Sequence, residues 1–322
     1  MLTTFLWQKG KPLQREVTRA QMLAALAEKD ALLWVDFEDP NEFESDALVE
    51  IFNFHDLAID DCLNDLSHPK VDDYEEYLFM VTHAVRMEED QLVTIELDIF
   101  LGKNYVVTFH KNVIRSIEMT RETVARKPDS YLGHGGDTLV YHILDLVVDR
   151  YQPVLDCYED KIDALEDQVF NSATKKDDMP TIMQLKKDIF HFRRIVAPQR
   201  DMLNYLTRTP TAFIKTRNMA YFRDVYDHLF RMYGSIEAIH ESLNGLIQAY
   251  FSYSSHKMNE AVKRMTVMAT LTMPAVIISG IYGMNFHYIP ELHWHYGYFY
   301  AHGLIAMTSL SMLGLMKYKK WI

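Results

Sequence analysis

Residues 265–282 read MTVMATLTMPAVIISGIY and residues 298–316 read YFYAHGLIAMTSLSMLGLM, with His302 as the one basic or acidic side chain between them. At 1.5 Å per helical residue each stretch is just long enough to cross a hydrocarbon layer of about 30 Å. Helices in soluble cores seldom run this far without a charge, so both are expected to span a membrane. Lys263 and Arg264 precede the first stretch and Lys317, Lys319 and Lys320 follow the second, while the loop between them has no Lys or Arg. Basic residues collect on cytoplasmic flanks, which puts both termini in the cytoplasm of a multi-pass protein. Tyr282, Trp294, Tyr296, Tyr298, Tyr300 and Trp321 supply the aromatic belts of the two interfaces.

The 322-residue chain has a net charge of -12, unevenly placed. Of its 45 acidic residues only Glu291 lies beyond Glu260, whereas Lys263, Arg264, Lys317, Lys319 and Lys320 all do. An acidic body argues against a nucleic-acid partner, which needs a basic face to displace counterions, and suits a protein that meets cations; solubility alone explains it equally well. Cys62 and Cys157 show no disulfide or metal-ligand spacing and read as buried small hydrophobes in a reducing compartment. No phosphate loop, catalytic nucleophile or metalloprotease spacing occurs, so no enzyme is expected. Residues 1–10 lack a signal-peptide cleavage site, which leaves the body in the cytoplasm.

Residues 1–130 mix strand and helix periods and read as an α/β cytoplasmic domain. LLWVDF (32–37) is strand-like, and LVTIELDIFL (92–101) and YVVTFH (105–110) flank Gly102, Lys103 and Asn104 as a β-hairpin. From Asp137 the pattern turns helical. Residues 131–215 are expected to form an antiparallel pair of acidic helices, with breaks near 171–180 and 207–211. A third helix starts near Ala220, meets no proline before Pro274 and should run unbroken to about Tyr282. From Asp224 that is on the order of 90 Å, nearly three times the hydrocarbon core. Residues 216–264 are thus a stalk, 265–283 the first span, 284–297 an outer loop, 298–316 the second span and 317–322 a basic tail. The fold class is an α+β membrane protein whose stalk helix continues into the first of two C-terminal transmembrane helices.

The outer end of the first span is Tyr282-Gly283-Met284-Asn285-Phe286, followed by Ile289-Pro290-Glu291-Leu292. Here the sequence resembles the CorA family of magnesium channels, whose signature is YGMNF and a short loop containing MPEL; Ile289 replaces the family's usual Met. The order of α/β domain, helix pair, stalk, two spans and basic tail resembles the family throughout. The resemblance implies a funnel-shaped homopentamer in the cell's inner membrane, conducting Mg²⁺ inward, with Co²⁺ or Ni²⁺ as further cargo, and a selectivity filter at Gly283, Met284 and Asn285. The chemistry suits that reading. Mg²⁺ gives up water reluctantly, so a pore should offer oxygens to its hydration shell, as the Asn285 amide and backbone carbonyls near a flexible Gly283 can. Gly and Asn also commonly end helices, which is the plainer account of the pair.

Asn259, Val262, Thr266, Ala269, Met273, Val276 and Gly280 recur every three or four residues on one helical face. In the resembled family this face lines the pore. Met273, with Val262 or Met265 lower down, would form apolar constrictions and Asn259 a polar ring beneath. Val276 departs from the family pattern, where some members carry a hydroxyl, and Pro274 offers a kink. Ordinary helix packing explains the same stripe.

Two acidic strings, HDLAIDDCLND with Asp60 and Asp61 and YFRDVYDH with Asp224 and Asp227, are similar to segments that in the family bind regulatory Mg²⁺ across a subunit interface. Carried over residue by residue, that implies Asp61 and Asp224, with Asp60 and Asp227 beside them. Facing carboxylates repel, and a divalent cation turns the repulsion into a bridge. A further stripe, Asp145, Asp149, Asp156, Asp160, Asp163 and Asp167, reads as the solvated face of one helix or as a cation-concentrating surface near the basic tail. His287, His293, His295 and His302 are the hint for a rival, a zinc or cobalt and nickel transporter of the ZntB branch. A membrane-anchored sensor without transport is the other alternative, though bare anchors need no continuous stalk. The partners expected are further copies of the chain, divalent cations and the bilayer.

Overall fold

The computed structural model describes residues 1–64, 68–170, 178–319 and 321. Lys320 of the basic tail and residues 171–177 of the expected helix break lie outside them. Seven strands, β1 (Leu2–Gln8), β2 (Gln14–Arg15), β3 (Ala31–Glu38), β4 (Lys70–Asp73), β5 (Tyr77–Glu88), β6 (Gln91–Gly102) and β7 (Tyr105–His110), form one sheet in the order β2-β1-β3-β7-β6-β5-β4. Only the central β3–β7 pairing is parallel. The hairpin expected about Gly102, Lys103 and Asn104 is the antiparallel β6–β7 pair. A longer hairpin joins β5 and β6 through Glu89 and Asp90, both at positive φ, the geometry of a two-residue turn whose twist matches its strands.

β3 is buried on both faces because helices cover both. On one side Leu33, Val35, Phe37, Phe79, Phe100 and Val107 meet Leu48 of α2 (Glu42–Glu50) and Ala58 and Cys62 of α3 (Asp56–Leu63), which follow α1 (Arg19–Ala27). On the other lie α4 (Arg115–Arg126), the short α5 (Pro128–Tyr131) and α6 (Gly136–Asp149). Gly136 starts α6 against the sheet: a Cβ there would come within 2.9 Å of Leu101 and 3.0 Å of Val106. The pairing of α6 with its neighbours is polar at one point. Buried Asp137 accepts bonds from the Lys215 backbone N–H at 2.9 Å and Asn218 Nδ2 at 2.8 Å, tying α6 to the segment that leads into the longest helix.

Three long helices follow: α7 (Tyr151–Phe170), α8 (Asp178–Arg208) and α9 (Met219–Tyr282). Tyr151 donates to Gln199 at 2.8 Å and Tyr158 to Asp188 at 3.1 Å, so α7 and α8 are antiparallel, as expected. Lys186 donates to Asn244 and Arg193 pairs with Glu237, which sets α9 antiparallel to α8. Phe222, Val225, Leu229, Met232, Ile236, Ile239, Leu243 and Leu246 are all buried along α9, a 3-4 alternation that keeps one seam facing its partners. The chain divides into two compact units at the end of that seam, Met1–Leu246 and Ile247–Ile322. The second unit holds the remainder of α9, a 3₁₀ turn (Pro290–His293) and α10 (Gly297–Tyr318).

Two expectations are corrected. The acidic stripe from Asp145 to Asp167 lies on two helices, because α6 ends at Asp149 and α7 begins at Tyr151. Pro153 has no N–H to bond the Asp149 carbonyl, so the chain restarts there with Pro153 in the tolerated first turn. Cys62 is buried, but Cys157 is only half-buried, on α7 between exposed Asp156 and buried Tyr158.

Removing the Asp137 carboxylate takes the acceptor from the Lys215 N–H and leaves buried Asn218 Nδ2 with Thr138 Oγ1, at 3.0 Å, as its remaining acceptor. Asp137→Ala should destabilise the first unit by about 2–4 kcal/mol, read as a lowered unfolding temperature of the detergent-solubilised full chain.

Candidate ion pathway and regulatory sites

The first apolar stretch of α9 has two unlike sides. Pro274 and Ile278 are buried and Val267, Leu271 and Tyr282 half-buried; at about 100° per residue these share one side of the helix. That side packs on α10, whose Ser309 hydroxyl donates to the Leu271 carbonyl at 3.1 Å. Asn259, Val262, Thr266, Ala269, Met273, Val276 and Gly280 cluster about the opposite side, with Met265 at its edge, and every one is exposed. Met273 is 60% and Val276 69% exposed, an unusual state for apolar side chains unless another surface covers them. Thr266 donates its hydroxyl proton to the Val262 carbonyl at 2.8 Å, so its oxygen lone pairs are what remain to face outward.

α9 ends at the GMN string. The Gly283 N–H still bonds the Ser279 carbonyl at 2.9 Å, and a Cβ on Gly283 would press to 3.1 Å from that same oxygen. Met284 is half exposed, and the exposed Asn285 side chain makes no hydrogen bond among the described residues. The Pro290–His293 turn returns to the start of α10 so closely that a Cβ on Gly297 would stand 2.1 Å from the Glu291 carbonyl oxygen. Only glycine permits that approach. The outer histidines do not converge: His293 stacks on Tyr288, His295 meets Tyr296 edge-on, and His302 Nδ1 lies 3.0 Å from the Tyr298 carbonyl. Among the described residues, no three potential ligand atoms of this loop come within 4.8 Å of one another.

The acidic candidates sit in distinct settings in the first unit. Asp61, on the last turn of α3, accepts from Lys70 Nζ at 2.6 Å, and its neighbour Asp60 accepts from Asn64 at 2.9 Å. Asp224 is exposed on α9 and joins a group that sequence reasoning left dispersed. His228 lies 3.8 Å from Asp149 and 4.0 Å from Asp224, and Asp145, Asp149 and His228 present ligand atoms within 4.8 Å of one another. Burial and then the charge of Asp149 hold the Asp145 carboxyl above the usual carboxylate range. Burial together with Asp145 and Asp224 pushes the neighbouring Tyr141 phenol up to about 12. Asp227 is exposed beside them. The spacing of YFRDVYDH puts Asp224 and His228 one turn apart, which was legible; their meeting with α6 was not. A second cluster, Asp36, Glu38 and His110, already holds a cation of its own, since the Arg121 guanidinium pairs with Asp36 at 2.9 Å and with Glu38.

A family model described as CorA-like Mg²⁺ transporter protein matches residues 29–320. The chain belongs to the CorA family. Its sequence is 36% identical over 291 residues to YfjQ of Bacillus subtilis, provisionally named a metal ion transporter, with 90% of each protein covered. It is 33% identical over 275 residues to the cobalt/magnesium transport protein CorA of Thermotoga maritima, covering 85% of this chain and 78% of that one. The fold superposes on the complete structure of the CorA magnesium transporter from Methanocaldococcus jannaschii with a TM-score of 0.86 at 24% identity, across 100% of this chain and 99% of that one. The ZntB cytoplasmic domain from Vibrio parahaemolyticus shares the fold at a TM-score of 0.62 and 14% identity, over 80% of this chain and 99% of that domain. Membership in CorA makes this protein a membrane transporter of divalent metal ions. The shared fold alone does not choose between magnesium and zinc.

Two outcomes follow from the geometry. Gly297→Ala should displace the Pro290–His293 turn and lower ion uptake severalfold, with the unfolding temperature of the first unit unchanged. A carboxyl whose pKa is raised by folding costs stability as pH climbs through the ordinary carboxylate range toward the raised value. Asp145→Asn, neutral at every pH, should therefore raise the metal-free unfolding temperature at pH 7 by about a degree or two, an effect that fades as pH falls and is gone below about pH 3.

Proposed function

We propose that this CorA-family chain is one subunit of a homopentameric Mg²⁺ influx channel of the inner membrane, with both termini cytoplasmic and the exposed side of α9 lining the pore. What carries the reading is YGMNF at the end of a helix whose side away from α10 is exposed, with an Asn285 amide that makes no hydrogen bond among the described residues. Copies arranged about an axis would cover Met273, Val276 and their neighbours, and five Asn285 amides would face one another. A ring of neutral oxygens can bind the water shell of Mg²⁺ without stripping it, whereas a ring of carboxylates would hold the ion longer. Thr266, with its oxygen outward, is a second polar station, and Met273 and Val262 are apolar levels able to close by dewetting. The stalk, residues 216–264, joins this pore to the acidic body, and Co²⁺ and Ni²⁺ are further cargo of similar size and charge.

Asp61 and Asp224 are the carboxylates of a regulatory site formed between subunits, with Asp60 and Asp227 beside them. Both are oxygen donors of the kind Mg²⁺ takes, and Asp224 already sits among like charges that a cation would relieve. High internal Mg²⁺ then favours the closed arrangement because it binds that arrangement more tightly, which is the condition for any ligand to shift an equilibrium.

The test is Asn285→Ala, which should abolish Mg²⁺ uptake by cells or proteoliposomes while the oligomer stays intact on size-exclusion chromatography. Normal uptake in that variant sinks the filter assignment. For the regulatory site, Asp61→Ala combined with Asp224→Ala should weaken the protection of the acidic body from protease by Mg²⁺, and unchanged protection removes the gating proposal.

A further inference from the structure

Lys70 opens the edge strand β4 and reaches across to α3. Its ammonium lies 2.6 Å from Asp61 Oδ2, 3.0 Å from Asp72 Oδ2 and 5.7 Å from the centroid of the Phe79 ring. The Asp61 and Lys70 side chains are 29% and 37% exposed, so the pair is partly sheltered from solvent and still partly accessible from it. The carboxylate assigned to the regulatory cation is therefore already occupied by a cation that belongs to the chain.

We propose that Lys70 is an internal competitor for the regulatory divalent cation at Asp61, and so sets the Mg²⁺ concentration at which the subunits lock; this rests on the reading of Asp61 as a regulatory carboxylate. A divalent ion arriving at Asp61 must take the oxygen that Lys70 holds or share the carboxylate with it. At a separation of roughly 6 Å, the repulsion between a divalent ion and an ammonium weakens binding by about tenfold even at the dielectric constant of water. The displaced ammonium has a prepared place, because Asp72 and the face of Phe79 continue to hold it. Release of Mg²⁺ then returns Lys70 to Asp61, so the empty site never leaves that carboxylate uncompensated. Competition of this kind tunes a site toward an abundant ion: a carboxylate without Lys70 would stay loaded when internal Mg²⁺ falls and would not report the fall.

The experiment is protease protection of the full-length protein in detergent, titrated with MgCl₂ alone, for the wild type, Lys70→Met, Lys70→Arg and Asp61→Ala. Lys70→Met should lower the half-protecting Mg²⁺ concentration about tenfold. Lys70→Arg, which keeps the charge, should stay within about threefold of wild type, since both cations hold a carboxylate though with different geometry. The unfolding temperature of each variant in EDTA checks that α3 and β4 are intact, and a Lys70→Met protein that melts early is replaced by Lys70→Gln. Protection that is present in wild type, weakened in Asp61→Ala and unshifted in Lys70→Met overturns the role of Lys70 alone. Protection that Asp61→Ala leaves unaltered overturns the regulatory reading of Asp61, and this proposal with it.

Discussion

The seam of buried side chains from Phe222 to Leu246 is the interaction on which the rest of the chain depends. Eight apolar residues at 3-4 spacing bind α9 to the bundle it shares with α7 and α8, and no buried residue continues the seam until Pro274. Between Leu246 and Pro274 no side chain of the helix is fully buried, α10 then takes up one side of it through Leu271, Pro274 and Ile278, and beyond Arg264 the helix has no charge to keep it in water. A helix in hydrocarbon satisfies its own backbone, which is why one uninterrupted element can serve both environments where a strand or loop could not. α9 runs without a break from Met219 in the first unit to Tyr282 in the second, so the proposed sensing and conducting residues share one helix.

The ion chemistry is consistent with the residue types at both ends. Along the proposed ion path the groups are neutral: Asn285, the backbone about Gly283 and the outward oxygen of Thr266. The proposed sensing groups are carboxylates with neighbours already in place, Lys70 beside Asp61 and the His228 ring beside Asp149 and Asp224. Weak neutral donors favour rapid exchange, and compensated carboxylates favour a threshold over permanent occupancy. Of the outer histidines, His293 and His295 lie against the rings of Tyr288 and Tyr296, and His302 against the Tyr298 carbonyl.

Much of this was legible in the sequence because it is local. The two spans announce themselves by uninterrupted apolar composition, the β6–β7 hairpin by alternation about a Gly-Lys-Asn turn, and the length of α9 by the absence of proline before Pro274. The α10-facing side of α9 was not separable from the opposite one by composition, since Ile278 and Val276 are alike; packing distinguishes them. Pro153 signalled the end of α6, but its effect was hidden by aspartates that keep their helical spacing across the break. The Asp145, Asp149 and His228 group joins α6 to α9 across a long stretch of chain, and the Lys70 bridge crosses from a strand to the helix before it; local periodicity brings neither together.

Flux into proteoliposomes containing the purified protein shows whether Mg²⁺ is the ion that this chain admits. With Mg²⁺, Zn²⁺ and Co²⁺ offered separately under an inward gradient and an inside-negative potential, Mg²⁺ should enter readily. Zinc entry with no magnesium entry would contradict the account.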